Sequence, residues 1–182
     1  LQTIVNETLR CRKIVKGLLD FSRQTKPQRT QLELNQLVED VLALVRNQTV
    51  FRSIKITYDL DPRLPRVLAD ADQMRQVVLN IVLNAAEAMA QGGELRLSSS
   101  WDPARRTVDV AVSDTGPGMP DDVRARLFEP FFTTKRTGTG LGLSVAYGLV
   151  ERHHGELLVD SARGRGTTFT IRLPIEGAPD DD

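Results

Sequence analysis

Residues 71–90 read ADQMRQVVLNIVLNAAEAMA, between Asp70 on one side and the pair Gly92-Gly93 on the other. Asp70 followed by Gln73 is a capping-box pattern, and paired glycines end helices, so the stretch predicts a helix from Ala71 to Ala90. The helix is apolar nearly all round, through Val77, Val78, Leu79, Ile81, Val82, Leu83, Ala85, Ala86 and Met89. Its polar residues Gln76, Asn80, Asn84 and Glu87 recur four, four and three apart and fall on one stripe. A stripe that faces only water would more usually carry Lys, Glu or Arg, which form helices better than Asn. Two readings stay open for it. One is an ordinary solvated stripe. The other is a pair of amides facing a ligand, because an amide oxygen coordinates a hard cation without adding charge, and Mg2+ takes only one or two protein ligands where phosphates supply the rest.

The segments around this helix set the fold class. From Leu1 to Thr25 the apolar residues Leu1, Ile4, Val5, Leu9, Cys11, Ile14, Val15, Leu18, Leu19 and Phe21 recur at threes and fours, and Lys26-Pro27 ends the pattern. A helix of that length is roughly 35 to 40 Å long, too long to lie wholly on a small domain, so part of its stripe is expected to meet another helix. A short extended piece at Gln31 to Leu34 precedes Asn35, read as the N-cap of a helix from Gln36 to Gln48. Ile54, Ile56, Tyr58 and Leu60 alternate as a strand. Further strands are expected at Glu94–Trp101, Thr107–Ser113, Leu157–Ser161 and Thr167–Leu173, with a helix from Leu141 to His153 before the last two. Pairs of strands between helices, closing on a hairpin, indicate an α+β or mixed α/β sandwich.

Composition narrows the function classes. The chain of 182 residues is 40% hydrophobic and 26% charged, which suits one globular domain or a domain with an appendage. No run approaches the roughly 18 apolar residues of a membrane span. The single cysteine, Cys11, excludes a disulfide framework within the chain and favours a reducing, cytoplasmic setting. Twenty-four Lys and Arg balance twenty-four Asp and Glu, so no whole-molecule field draws in nucleic acid or a membrane surface. Residues 1–30 nevertheless hold seven bases against two acids, while residues 176–182 hold four acids and no base. The chain opens at Leu1 inside a helical pattern, so it is expected to be part of something longer.

Three glycine-bearing stretches follow the long apolar helix. Asp114-Thr115-Gly116-Pro117-Gly118-Met119 comes directly off a strand; by itself it reads first as an Asp-capped Pro-Gly turn, and the other reading is a carboxylate placed to accept from the exocyclic amine of a purine. Gly138-Thr139-Gly140-Leu141-Gly142 runs into a helix whose free N–H groups suit a phosphate, without the spacing of a P-loop or a dinucleotide fingerprint. Between them, Phe128-Glu129-Pro130-Phe131-Phe132-Thr133-Thr134-Lys135 holds half of the six phenylalanines, which argues for a docking lid.

In order and spacing these stretches resemble the catalytic, ATP-binding domain of sensor histidine kinases. The N box resembles Gln76 to Ala88. The boxes that follow it resemble Asp114 to Gly118, Phe128 to Phe132, Gly138 to Gly142 and Gly164 to Thr167. Phe131-Phe132-Thr133-Thr134-Lys135 and Leu18-Leu19-Asp20-Phe21-Ser22-Arg23 resemble the nitrogen-regulatory subgroup. The resemblance implies an α+β, two-layer α/β sandwich of Bergerat type: a mixed β-sheet backed by helices and preceded by one long N-terminal helix. Residues 1–26 would be the second helix of a dimerisation and phosphotransfer bundle, 30–175 the ATP-binding domain and 176–182 an acidic tail.

It further implies ATP and Mg2+ as cofactors, with Asn84 as the metal ligand and Asn80 its neighbour near the phosphates. Asp114 would read adenine, approached by Gly116 and Gly118 and supported by Thr167. Lys135, Gly138, Gly140, Leu141 and Gly142 would take the phosphates, Asn80 and Lys135 being the catalytic pair. The implied partners are ATP or ADP, a histidine-bearing bundle helix of the same or a sister chain, a response-regulator receiver domain, and a second copy in a full-length homodimer. Nucleic acid and direct membrane contact are not implied, and the expected location is cytoplasmic, whether or not the full-length protein is anchored. Two features depart from the family pattern. The only histidines, His153 and His154, are expected to cap a helix end before Gly155, so the phosphoacceptor lies elsewhere; and Glu87 stands where many relatives carry Lys or Arg. The alternatives are an ATPase resembling gyrase, Hsp90 or MutL proteins, which place a Glu where this chain has Asn80, and a non-catalytic nucleotide-binding module.

Overall fold

A computed structural model of the chain describes residues 26–135 and 138–175. The helix expected over residues 1–25 and the acidic tail at 176–182 lie outside the described residues. In chain order the elements are β1 (Thr30–Leu32), α1 (Leu34–Val45), a 3-10 turn (Thr49–Phe51), β2 (Ile54–Asp59), β3 (Val67–Ala69), α2 (Ala71–Ala88) and β4 (Gly93–Asp102). After these come β5 (Thr107–Asp114), α3 (Asp121–Ala125), α4 (Gly142–Arg152), β6 (Glu156–Ser161) and β7 (Thr167–Pro174).

The five-stranded sheet has the order β2-β4-β5-β7-β6, parallel between β2 and β4 and antiparallel elsewhere. Strict alternation puts Leu95 and Leu97, Val108, Val110 and Val112, and Phe169, Ile171 and Leu173 on one buried face. That face is covered by the apolar sides of α1 (Leu37, Val38, Val41, Leu42), α2 (Val77, Val78, Ile81, Val82) and α4 (Val145, Ala146, Leu149, Val150). Polar residues alternate to the other side, where Arg172 grips Asp109 of the neighbouring strand with two 2.8 Å bonds. The fold is therefore the expected two-layer mixed sandwich. No helix among the described residues is long and apolar enough to cross a membrane.

Local differences from the sequence reading have physical causes. Helix α1 begins at Leu34 with Glu33 in the N-cap position and ends at Val45, not at Gln48. Asn35 is not the cap, because its amide donates instead to the carbonyl of Asp61 (2.8 Å) and holds the 60–66 loop against the helix. Strand β3 was not expected; its three residues pair antiparallel with β1 as a separate two-stranded ribbon. The capping box of α2 is half formed. Asp70 caps the amides of Asp72 and Gln73 (3.0 and 3.1 Å), but the Asp70 N–H goes to His153 Nε2 (3.0 Å) and not to Gln73.

That last bond is one of two that fix α2 against α4. The other joins Asn80 Nδ2 to the carbonyl of Gly142 (2.9 Å). Position 70 meets 153 and position 80 meets 142, so the helices run antiparallel and the two bonds lie about 15 Å apart along both axes. The asparagine stripe of α2 is thereby set opposite the beginning of α4.

Candidate functional site

A cavity of about 530 Å³ opens between α2, the end of β5 and the segment from α3 to α4, well within the range of small-molecule sites. Of the residues singled out in the sequence, Asn80, Asn84, Asp114, Gly118, Lys135, Gly138, Gly140, Gly142 and Thr167 line it. Gly116 and Leu141 do not, and each acts on the wall from behind. The Gly116 N–H donates to Asp114 Oδ1 (2.8 Å), and Leu141 is buried at the start of α4. The apolar walls, Leu83, Met119, Val123, Leu127 and Leu143, were not anticipated as site residues, since nothing distinguishes them from core residues in the sequence.

Asp114 ends β5 and is only 6% exposed. Burial pushes its carboxyl above the ordinary range, against the pull of backbone donors at Gly116 and Thr167 and of the Lys135 charge. A desolvated carboxylate beside apolar walls is a strong acceptor for an N–H donor of a flat heterocycle. Its surroundings are fixed by the β5–β7 register, which sets Asp114 opposite Thr167. Ser161, which carried no signal in the sequence, ties this corner together. Its hydroxyl accepts from the Met119 N–H (2.9 Å), lies 2.9 Å from Thr167 Oγ1 and donates to the Gly166 carbonyl (3.0 Å).

On the other side, α4 starts at Gly142 with no capping side chain, which leaves the first N–H groups of the helix for a ligand beside Gly142 and Leu143. Asn84 presents its amide oxygen to Lys135 Nζ at 2.8 Å, and the Glu87 carboxylate meets the same ammonium at 2.8 Å. Glu87, the departure from the family pattern, thus belongs to the site.

The lid between the two glycine stretches contains α3, a five-residue helix not expected from the sequence. Phe128 stacks on Tyr147 of α4, with ring centres 4.8 Å apart, and the Arg126 guanidinium sits 4.3 Å above the Phe132 ring. Phe131 was expected to dock and does not. Its N–H bonds the Gly140 carbonyl (3.0 Å), its φ is +66°, and the ring is 59% exposed. Gly140 itself has φ +69°, and a Cβ there would lie 2.4 Å from the Phe131 carbonyl carbon, so only glycine fits this crossing.

The two histidines depart from a simple cap. His153 Nδ1 lies 2.8 Å from the Leu149 carbonyl while Nε2 accepts from Asp70, which fixes a neutral ring protonated at Nδ1. Burial lowers its pKa accordingly, so it is a neutral hydrogen-bonding bridge and not a cation complementing the helix dipole. His154 Nε2 meets Arg29 (3.2 Å), whose guanidinium also donates to the Arg152 carbonyl (2.7 Å). Neither ring lines the cavity.

Residues 69–177 match the family described as histidine kinase-, DNA gyrase B-, and HSP90-like ATPase. The signal transduction histidine-protein kinase AtoS of Escherichia coli K12 is 36% identical over 175 residues, which are 96% of this chain and 29% of AtoS. The chain spans about a third of the length of the curated relatives it matches. Among solved structures, the nucleotide-free catalytic domain of the histidine kinase ThkA superposes with a TM-score of 0.74 at 32% identity, covering 82% of this chain and 97% of that one. ThkA in complex with the response regulator TrrA gives 0.80 at 30% identity, over 99% of this chain and 51% of that one. Full-length ShkA in complex with AMPPNP gives 0.81 at 30% identity, over 91% and 36%.

Proposed function

The chain belongs to the family of histidine kinase-, DNA gyrase B-, and HSP90-like ATPases and carries the catalytic ATP-binding domain of a sensor histidine kinase, and on that premise we propose that it transfers the γ-phosphoryl group of ATP to a histidine on a bundle helix. One observation carries this reading: a buried carboxylate, Asp114, and a cation-holding amide oxygen, that of Asn84, share one cavity with the uncapped start of α4. Asp114 accepts from the adenine amine while the Gly116 N–H holds its carboxylate from behind, Gly118 lets backbone approach the ring, and Thr167 supports that end. Gly138, Gly140, Gly142 and Lys135 surround the phosphates, with Leu141 buried behind them at the start of α4.

The oxygens of Asn84 and Glu87 suit a hard cation, since they already hold an ammonium. Asn84 Oδ1 would be the protein ligand to Mg2+, which when bound neutralises phosphate charge. Asn80 keeps that stripe registered with α4 through its bond to Gly142. An amide takes no proton at neutral pH, so no general base stands at position 80, and hydrolysis by the route of the gyrase-type relatives is disfavoured. Phosphoryl transfer needs mainly positioning and charge neutralisation, which the site supplies.

His153 is bonded at both ring nitrogens and neither histidine faces the cavity, which supports an acceptor on another helix; in this reading residues 1–26 are one helix of the same bundle. A response-regulator receiver domain, as in the ThkA–TrrA complex, would take the phosphoryl group onward. In this reading the full-length protein is a homodimer with this part in the cytoplasm. The test incubates labelled ATP and Mg2+ with the chain alone and with the chain extended by a histidine-bearing bundle helix. Acid-labile, base-stable label is expected only on the extended protein; efficient labelling of His153 or His154 would overturn the assignment.

A further inference from the structure

The Lys135 ammonium carries three N–H donors, and in this structure all of its recorded contacts are oxygens of α2: Asn84 Oδ1 at 2.8 Å, Glu87 Oε2 at 2.8 Å and, longer, the Asn84 carbonyl at 3.4 Å. The lysine comes from the segment between the two glycine stretches and the oxygens from one turn of the helix, so this cluster ties two separate elements together. Two of the lysine's three donors are spent on these short bonds, which leaves at most one for a phosphate. Asn84 Oδ1 in turn cannot serve a metal while an ammonium occupies it. The site therefore has two exclusive arrangements, and a neutral amide alone gives little reason for the lysine to choose this one. The reason is the carboxylate three residues on. With side chains 59% and 34% exposed, the Glu87–Lys135 pair is strong enough to bias the lid and weak enough to be exchanged.

We propose that Glu87 is a positioning residue that parks Lys135 on the Asn84 oxygen, and that Lys135 must leave this oxygen before Asn84 can serve a divalent cation and Lys135 a phosphate. The second half rests on the function proposed above; the first half concerns the contact of Lys135 with Asn84 and Glu87 alone. Glu87 thus has a role that a lysine or arginine at this position would reverse, since a base there would repel Lys135 from the helix. In this chain the divalent cation and the lid lysine compete for one oxygen, so occupancy by the metal and delivery of the lysine are a single event.

The test uses the 182-residue chain and the variants Glu87→Gln, Lys135→Met and the double mutant. Hydrogen exchange without nucleotide should speed up over the lid by roughly two- to fivefold in each single variant, as for loss of a partly exposed ion pair, and no further in the double mutant. Additive effects, or no effect of Glu87→Gln, would overturn the parking contact. Calorimetry then compares ADP affinity in EDTA and in Mg2+. Glu87→Gln should tighten ADP in EDTA by a similar factor of about two to five and so shrink the benefit of Mg2+, and should do neither in the Lys135→Met background. If Glu87→Gln has the same effect with Lys135 absent, Glu87 acts as a through-space charge and the exchange of partners is wrong. Failure of the unmutated chain to bind ADP at all would instead sink the proposed function, leaving the nucleotide-free exchange result to decide the contact.

Discussion

Asp114 and Gly166 show how single residues make this site. A Cβ on Gly166, which has φ +77°, would lie 1.9 Å from the Asp114 carbonyl oxygen, so any side chain there pushes β7 away from the carboxylate it supports. Gly166→Ala should cost about 1–3 kcal/mol of stability, measured by denaturant unfolding, and should weaken nucleotide binding as well. In the proposed function Asp114 binds as the carboxylate, and burial raises its pKa. Protonation therefore begins at a higher pH than for a free aspartate, and nucleotide affinity should fall earlier on acidification than solvent-exposed carboxylates would predict, as read by titrations at successive pH values. Much of this scale was legible: Asp114, Asn84 and the glycines stand out because their types are odd for their places. Ser161 did not stand out, because a serine at a strand end is ordinary and only the three-dimensional corner gives it three partners.

Between elements, the informative contact is His153, which joins the C-terminus of α4 to the N-cap of α2. Desolvation is the main cause of its lowered pKa. Arg29 and His154 act in the same direction, and the Leu149 carbonyl and Asp70 oppose them. Because the folded value lies below the ordinary one of about 6.5, the unfolded chain takes up the proton first as pH falls. The bridge therefore contributes fully above that value, and its stability is lost as pH drops toward the folded pKa. Thermal melts of the unmutated chain should show Tm decreasing through this window, and His153→Gln should flatten the slope whatever it does to Tm at neutral pH. The lid gives a second prediction at this scale. Phe128→Ala removes the stack on Tyr147 and should speed hydrogen exchange across the lid while sparing the sheet, with a loss of about 3 kcal/mol or less because the site is near the surface. Strands and long helices could be read from their periodicity. The three-residue β3 and the true start of α1 could not, since each depends on a partner distant in sequence, β1 and Asp61, and the five-residue α3 is too short to show a periodicity.

At the scale of the molecule, the sandwich followed from the alternation of the five longer strands and the single apolar faces of the helices, and it was legible almost complete. What the sequence could not convey is how α2 and α4 are registered. The bonds at Asp70–His153 and Asn80–Gly142 do this, and they bring the asparagine stripe of one helix to the uncapped start of the other. This register, with Asp114 at the end of β5, is what we propose builds an adenine nucleotide site. Calorimetric titration of the chain with AMPPNP and Mg2+ tests it most directly, alongside Asp114→Asn. One site per chain is expected, weakened by about 1.5–3 kcal/mol in the variant because a charge-assisted hydrogen bond becomes a neutral one. No binding by the unmutated chain, or equal affinity in Asp114→Asn, would contradict it.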